Sequence, residues 1–290
     1  MGNIFKSDFV FLGLVIIASL LFVSGLGSSA IMGLLGYSGL SLAEVMVRTE
    51  LNASRAILAQ QGLGSLAIFL IPGVAMLQRW AYQEARELPV ESPALDRPQW
   101  TLKQSILAWA MIPALLPMLE WLTGRWVLFL ETTAWGAEAI ARSEEQATLV
   151  ERLLFLPHWG DQILAVVVFV LIAAVGEELF FRGALQRIIR SRMGASSVFA
   201  SAGLFAAFHF DLLHLPFLVI AGLALAWFFE LSGRLWVPLG AHVIHNALTY
   251  VQALESGPGT YAHISPVPFT WMVVASALAS VAIFMVLRRK

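Results

Sequence analysis

Gly176-Glu177-Glu178-Leu179-Phe180-Phe181-Arg182 places two carboxylates and a guanidinium at the end of a run, Ile163 to Val175, that has no polar side chain. A charge at such depth in lipid costs about 2.5–3.5 kcal/mol on insertion scales and is as a rule kept for function. Two further polar knots lie on later apolar segments: Phe205-Ala206-Ala207-Phe208-His209 and His242-Val243-Ile244-His245-Asn246. A carboxylate can take a proton from water, and an imidazole beside an amide can donate hydrogen bonds to a developing oxyanion. Such groups converging inside a membrane protein point to a buried hydrolytic site.

Helical spacing separates their roles. Adjacent Glu177 and Glu178 project about 100° apart, so they cannot both face one substrate. Glu178 and Arg182, four residues apart, can pair on one face. That leaves Glu177 as the candidate general base. His242 and Asn246 share a face by the same rule, and His245 is expected to point aside, as packing or a spare polar contact. Each knot also has a bland reading: a helix-end ion cluster, a hydrogen-bonded core histidine at 209, an interhelical amide at 246. The conjunction of three favours chemistry.

Other chemistries lack their residues. There is no His-Glu-x-x-His, no Gly-x-Ser-x-Gly and no phosphate-binding glycine loop. With no cysteine, a thiolate nucleophile and a cysteine-based zinc site are excluded. A divalent metal such as zinc could be held only by His209, His242 and Glu177, and nothing in the spacing demands it. No cofactor is required.

The elements that must position these residues are membrane helices. Hydrophobic residues make up 59% of the 290 and charged ones 13%, against about 25% charged in an ordinary soluble domain. The net charge of −1 argues against a nucleic-acid partner, which needs a basic face. The expected fold is all-α, a polytopic bundle of about eight transmembrane helices in one membrane domain over 1–290. Spans are expected near Phe9–Leu26, Leu63–Gln78 (interrupted by Pro72), Ile106–Leu122 (kinked by Pro113 and Pro117), Gln162–Phe181, Ser196–Phe210, Pro216–Leu231, Leu235–Leu254 and Pro268–Leu287. Residues 28–61 read as an interfacial helix and loop. Residues 79–104, with Pro89, Pro93 and Pro98, read as a polar linker, and 123–161 as an acidic extracytoplasmic loop with helical pieces. The first span is expected to be retained rather than cleaved as a signal peptide, and Lys6 breaks the myristoylation pattern.

With both termini cytoplasmic, the inner loops hold Lys6, Arg79, Arg86, Arg97, Lys103, Arg187, Arg190, Arg192, Arg234, Arg288, Arg289 and Lys290. The outer ones hold only Arg48, Arg55, Arg125, Arg142 and Arg152. This satisfies the positive-inside rule. At 1.5 Å per residue, Glu177 then lies roughly 20 Å below the outer start of its span, and His242 roughly 10 Å in from the cytoplasm. His209 reaches a comparable depth only if the two short segments around Asp211, His214 and Pro216 do not cross fully.

In order, these motifs resemble the CAAX-prenyl-protease type II and bacteriocin-processing (CPBP, or Abi) intramembrane proteases. That family's pattern is Glu-Glu-x-x-x-Arg, Phe-x-x-x-His and His-x-x-x-Asn, matched here by Glu177, Glu178 and Arg182, by Phe205 and His209, and by His242 and Asn246. The resemblance covers about 160–255, with a catalytic core expected over 155–255 and motif-poor helices in 1–150. It implies an eight-helix endopeptidase, long labelled a metalloprotease, in which Glu177 and His209 activate water. His242 and Asn246 would hold the oxyanion, with Glu178 and Arg182 in support. The implied partners are a peptide or protein substrate, of CAAX, lipidated or bacteriocin type, and the lipid bilayer, in a prokaryotic cytoplasmic membrane. Two alternatives stand beside it. One is a non-catalytic immunity or scaffold protein binding a peptide in the same pocket. The other is a proton-coupled transporter, for which no internal repeat speaks.

Overall fold

A computed structural model describes residues 2–86, 100–257 and 270–288, with the side chains of 2–6 and 24 outside that description. The expected linker prolines Pro89, Pro93 and Pro98, together with Arg97, Pro268, Arg289, Lys290 and the Lys6 side chain, lie outside the described residues. Among the described residues there are helices and no strand. The longer helices are α1 (2–34), α2 (51–85), α3 (Leu102–Leu130), α4 (Gly136–Leu154), α5 (159–193), α6 (Ser197–Phe208), α7 (Leu215–Ser232), α8 (Trp236–Ser256) and α9 (Thr270–Arg288).

Six described stretches are long and apolar enough to cross a membrane: Ser7–Leu34, Leu51–Ala85, Leu102–Leu130, Trp159–Phe208, Leu215–Ser232 and Thr270–Arg288. The protein is thus an integral multi-pass membrane protein with an all-α fold. The helix α8, also expected to span, is not among the six, because His242, His245, Asn246 and Gln252 dilute its hydropathy. Trp159–Phe208 is too long for one straight crossing, and a 3₁₀ segment at Gly194–Ser196 interrupts it, with Gly194 at φ +58°. At 12 residues, α6 is about 18 Å long, short of the roughly 30 Å hydrocarbon core.

Several boundaries differ from expectation. The first helix continues to Leu34, and the second begins at Leu51, so the interfacial segment shrinks to a short helix, Leu42–Met46, started by a Ser41–Glu44 capping box. Arg55 therefore lies on α2 rather than in an outer loop, and pairs with Asp161 of α5 at 2.9 Å. Pro72 does not interrupt α2. A π-helical turn, Leu66–Leu70, precedes it, and the wider turn accommodates a residue that has no N–H for the i−4 carbonyl. Arg125 lies on α3, which runs to Leu130, and about half of the expected outer loop is the helix α4.

The chain divides into two compact units, Met1–Pro93 with Arg152–Arg192, and Ala94–Glu151 with Met193–Lys290. In the first, α1, α2 and α5 pack through small residues. A Cβ on Gly73 would stand 2.8 Å from the Leu179 carbonyl carbon and 3.0 Å from Phe180 N, and one on Gly176 would stand 3.4 Å from Leu70 N. Each helix therefore offers a glycine to the other's backbone, the usual route to close packing without a hydrophobic driving force. Phe69 fills the seam, edge-on to Phe180 at 5.5 Å. At the other end of α1, Asp8 accepts from Arg79 Nε and Trp80 Nε1.

The second unit is built on α3, which begins with a Thr101–Gln104 capping box. Its core gathers Ile112, Leu115 and Leu119 with Leu225, Phe228, Val237 and Leu287. Pro113 and Pro117 weaken the α3 ladder, and Ser276 of α9 enters it. The serine hydroxyl donates to Ala114 O and accepts from Met118 N, supplying the bonds that a proline-distorted helix lacks. On α8, Gly240 makes room for Trp109, whose Nε1 donates to Val237 O at 2.9 Å.

Replacing Gly73 with alanine forces a methyl against backbone that cannot yield. Gly73→Ala is expected to cost about 1–3 kcal/mol, read as a lower Tm of the purified protein in detergent. Gly64→Ala, on the same helix with nothing within 4 Å of the new methyl, should leave Tm unchanged or raised. Equal effects at both positions would contradict the close α2–α5 contact.

Candidate active site

The first unit supplies the carboxylates. Glu177 and Glu178 end an α-helical stretch, Ala173–Glu178, and Arg182 lies in the π-helical segment Leu179–Leu185 that follows. Glu178 is 1% exposed and Arg182 0%, joined by Arg182 Nη1 donating to Glu178 Oε1 at 2.7 Å. A charge-assisted bond of that length is what holds two such groups out of water. The Arg182 guanidinium lies within electrostatic reach of both carboxylates. Glu177 is only partly buried, so its carboxylate is the more accessible of the two. Gly176, one residue earlier, is where α5 meets Phe69 and Leu70 of α2, and that contact fixes the height and rotation of the acidic pair.

The second unit supplies the imidazoles and the amide. His209, His242, His245 and Asn246 line one cavity of about 60 Å³, whose apolar wall includes Leu116, Phe205, Phe217 and Leu225. A water needs roughly 10–15 Å³ of such space, so this cavity has room for a few waters and not for a peptide side chain of any size. His209 is the last turn of α6: its N–H donates to Ala206 O, and its Nδ1 is 2.7 Å from Phe205 O. A carbonyl only accepts, so Nδ1 carries the proton and Nε2 is the basic nitrogen of the neutral ring. His242 is buried on the first turns of α8. The Phe205 ring lies tilted against His209 at 4.6 Å and stands edge-on to His242 at 5.8 Å, so it touches both. Phe205 itself is seated against Gly222 of α7, where a Cβ would come within 3.1 Å of its ring.

His245 departs from expectation. It lines the cavity with His242 and packs against Phe217 at 5.2 Å. The signal was present: residues i and i+3 share a helix face almost as well as i and i+4. Just beyond His209, Asp211 gathers the turn into α7, and its link to Ser143 of α4 has no sequence signal. Burial alone would raise the Asp211 carboxyl, but the hydrogen bonds and charge of His214, with the Ser143 hydroxyl, outweigh it and hold the group below the ordinary carboxylate value.

For a metal, the donor set is thin. Within either unit, no three described His, Asp or Glu side chains are grouped to hold an ion, and His209 spends Nδ1 on a backbone carbonyl. The residues present do not form a ligand cage, and no step is routed through one.

The fold and these side chains define a class: a multi-pass helical membrane protein with buried or partly buried carboxylates, imidazoles and an amide. The family model for type II CAAX prenyl endopeptidase Rce1-like matches residues 159–248, about a third of the chain. Over that segment the chain is similar to the CPBP, or CAAX-protease, type of membrane endopeptidase. No curated protein and no solved structure matches the chain.

The Glu178–Arg182 pair carries a direct test. Glu178→Ala or Arg182→Ala removes one half of a buried ion pair and should cost about 3–5 kcal/mol, visible as a large fall in Tm or in folded yield. Replacing both together, Glu178→Leu with Arg182→Met, should recover most of that loss. Single variants as stable as the parent would show that the pair does not hold this helix end.

Proposed function

We propose that the protein is an intramembrane endopeptidase that hydrolyses a peptide bond near the cytoplasmic side of the membrane. Glu177, with His209, takes a proton from water as the water oxygen attacks the scissile carbonyl carbon. His242 and Asn246 donate to the resulting oxyanion. Collapse of that intermediate breaks the C–N bond, and the proton passes to the leaving amine. Glu178 and Arg182 hold the helix end that carries Glu177. The substrate is a peptide or protein within the bilayer, of CAAX-like, lipidated or bacteriocin type.

One observation carries this reading: the matched segment 159–248 contains all three polar knots in the family's order. The water-sized cavity lined by His209, His242 and Asn246 supports the assignment of their roles. The Nδ1–H tautomer of His209 agrees with it, since a ring fixed that way turns a lone pair to a reacting water. The charge distribution supports a cytoplasmic membrane with both termini inside, and the family's prokaryotic branch is the proposed source.

The decisive experiment uses purified protein in detergent with a library of lipidated and unlipidated peptides. Glu177→Gln should lower turnover by about 10²–10⁴-fold at unchanged Tm. Full activity in Glu177→Gln with loss in a well-folded Glu178→Gln would exchange their roles. If neither change alters peptide binding or cleavage, the enzyme reading fails, and the cavity is that of a non-catalytic immunity or scaffold protein.

A further inference from the structure

We propose that Asp211 is the positioning residue for His209: its carboxylate locks a strained turn that fixes the imidazole's orientation and tautomer. The proposal deepens the peptidase reading, and only its turnover readout rests on that reading.

The chain leaves α6 through an unusual conformation. Phe210, directly after His209, has φ +51°, the one positive φ at a non-glycine among the described residues. A bulky aromatic side chain disfavours this left-handed region, and it persists only where its surroundings over-determine it. Packing does not do so here, because Phe210 is 84% exposed. Hydrogen bonds do. Asp211 Oδ1 accepts from Leu213 N at 3.0 Å, His214 N at 3.2 Å and Ser143 Oγ at 3.0 Å. Asp211 Oδ2 accepts from His214 Nδ1 at 2.7 Å. The next carbonyl, Leu212 O, accepts from Trp126 Nε1 of α3 at 2.8 Å. One carboxylate thus ties the turn to the start of α7 and to α4, while Trp126 ties it to α3.

His209 depends on that turn. Its N–H reaches Ala206 O, and the Phe205 carbonyl, which would otherwise take that N–H, receives the His209 ring instead. This exchange holds only while the chain leaves α6 in the left-handed step at 210. With the clamp removed, Phe210 relaxes to a common backbone region, the His209 N–H returns toward Phe205 O, and the ring loses its partner. Nδ1–H is then no longer the enforced tautomer.

The test uses the full chain in detergent with ¹⁵N-labelled imidazoles, the His209 signals assigned by their loss in His209→Gln. Asp211→Ala should shift the His209 nitrogens away from the Nδ1–H pattern. It should also lower kcat by roughly tenfold or more at unchanged KM, the size usual for losing the partner that orients a functional imidazole. Adding Phe210→Gly should restore both readouts, because glycine adopts the left-handed step without the clamp. A purely structural role for Asp211 would move stability and leave the tautomer where it is. If Asp211→Ala does not fold, Ser143→Ala with Trp126→Phe frees the turn from both neighbouring helices and should shift the tautomer in the same direction. An unchanged His209 pattern in a folded variant, or no rescue by Phe210→Gly, overturns the proposal. If the parent protein cleaves no peptide, the peptidase reading fails, and the imidazole spectrum decides the positioning role by itself.

Discussion

A polar group placed in an apolar bundle must find its partner within the protein, because lipid offers none. That constraint organises this molecule. Arg182 reaches back four residues to Glu178. Ser19 of α1 donates to Ala67 O of α2, Ser276 enters the proline-weakened ladder of α3, and Trp109 turns its indole N–H to Val237 O. In the last three cases a polar atom on one helix is met by a polar atom of another at hydrogen-bond distance, so those helices are located by their exceptions to apolarity. The apolar residues between them set spacing but discriminate little among rotations.

Close approach is the second requirement, and glycine meets it repeatedly. Gly73 and Gly176 let α2 and α5 touch backbone to backbone, Gly222 admits Phe205, and Gly240 admits Trp109. Two of these four contacts lie next to the candidate chemistry: Gly176 precedes Glu177, and Gly222 seats the Phe205 ring that contacts both His209 and His242. The π-helical segments act alongside them. A π turn lets Pro72 stay inside α2, and another begins directly after Glu178 and carries Arg182. An extra residue per turn rotates the following side chains, which gives a rigid helix a way to aim a charge.

The candidate site residues lie where the helices end or distort. His209 is the last turn of a helix too short to cross the bilayer, and Glu177 sits where regular α-helix gives way to π. Around His209 the walls include leucine, phenylalanine and alanine, and its ring is held by a backbone carbonyl, whereas Arg182 is held by the Glu178 carboxylate.

The sequence by itself determined the class of fold, the three polar knots and the Glu178–Arg182 pairing. Those follow from local physics: the cost of charge in lipid and the four-residue repeat of a helix face. It also placed His242 and Asn246 on one face. It expected His245 to pack, as it does against Phe217, but not to line the cavity with His242, although their i,i+3 spacing allows both. It ended α1 too early and began α2 too late, because charges such as Arg55 look like loop until their partner, here Asp161 across more than a hundred residues, is known. Nor could it foresee Ser143 meeting Asp211, the left-handed Phe210 or the seating of Trp109 against Gly240. Each of these is a contact between residues distant in the chain, settled when helices pack and unsatisfied backbone groups choose among the neighbours that packing brings within reach.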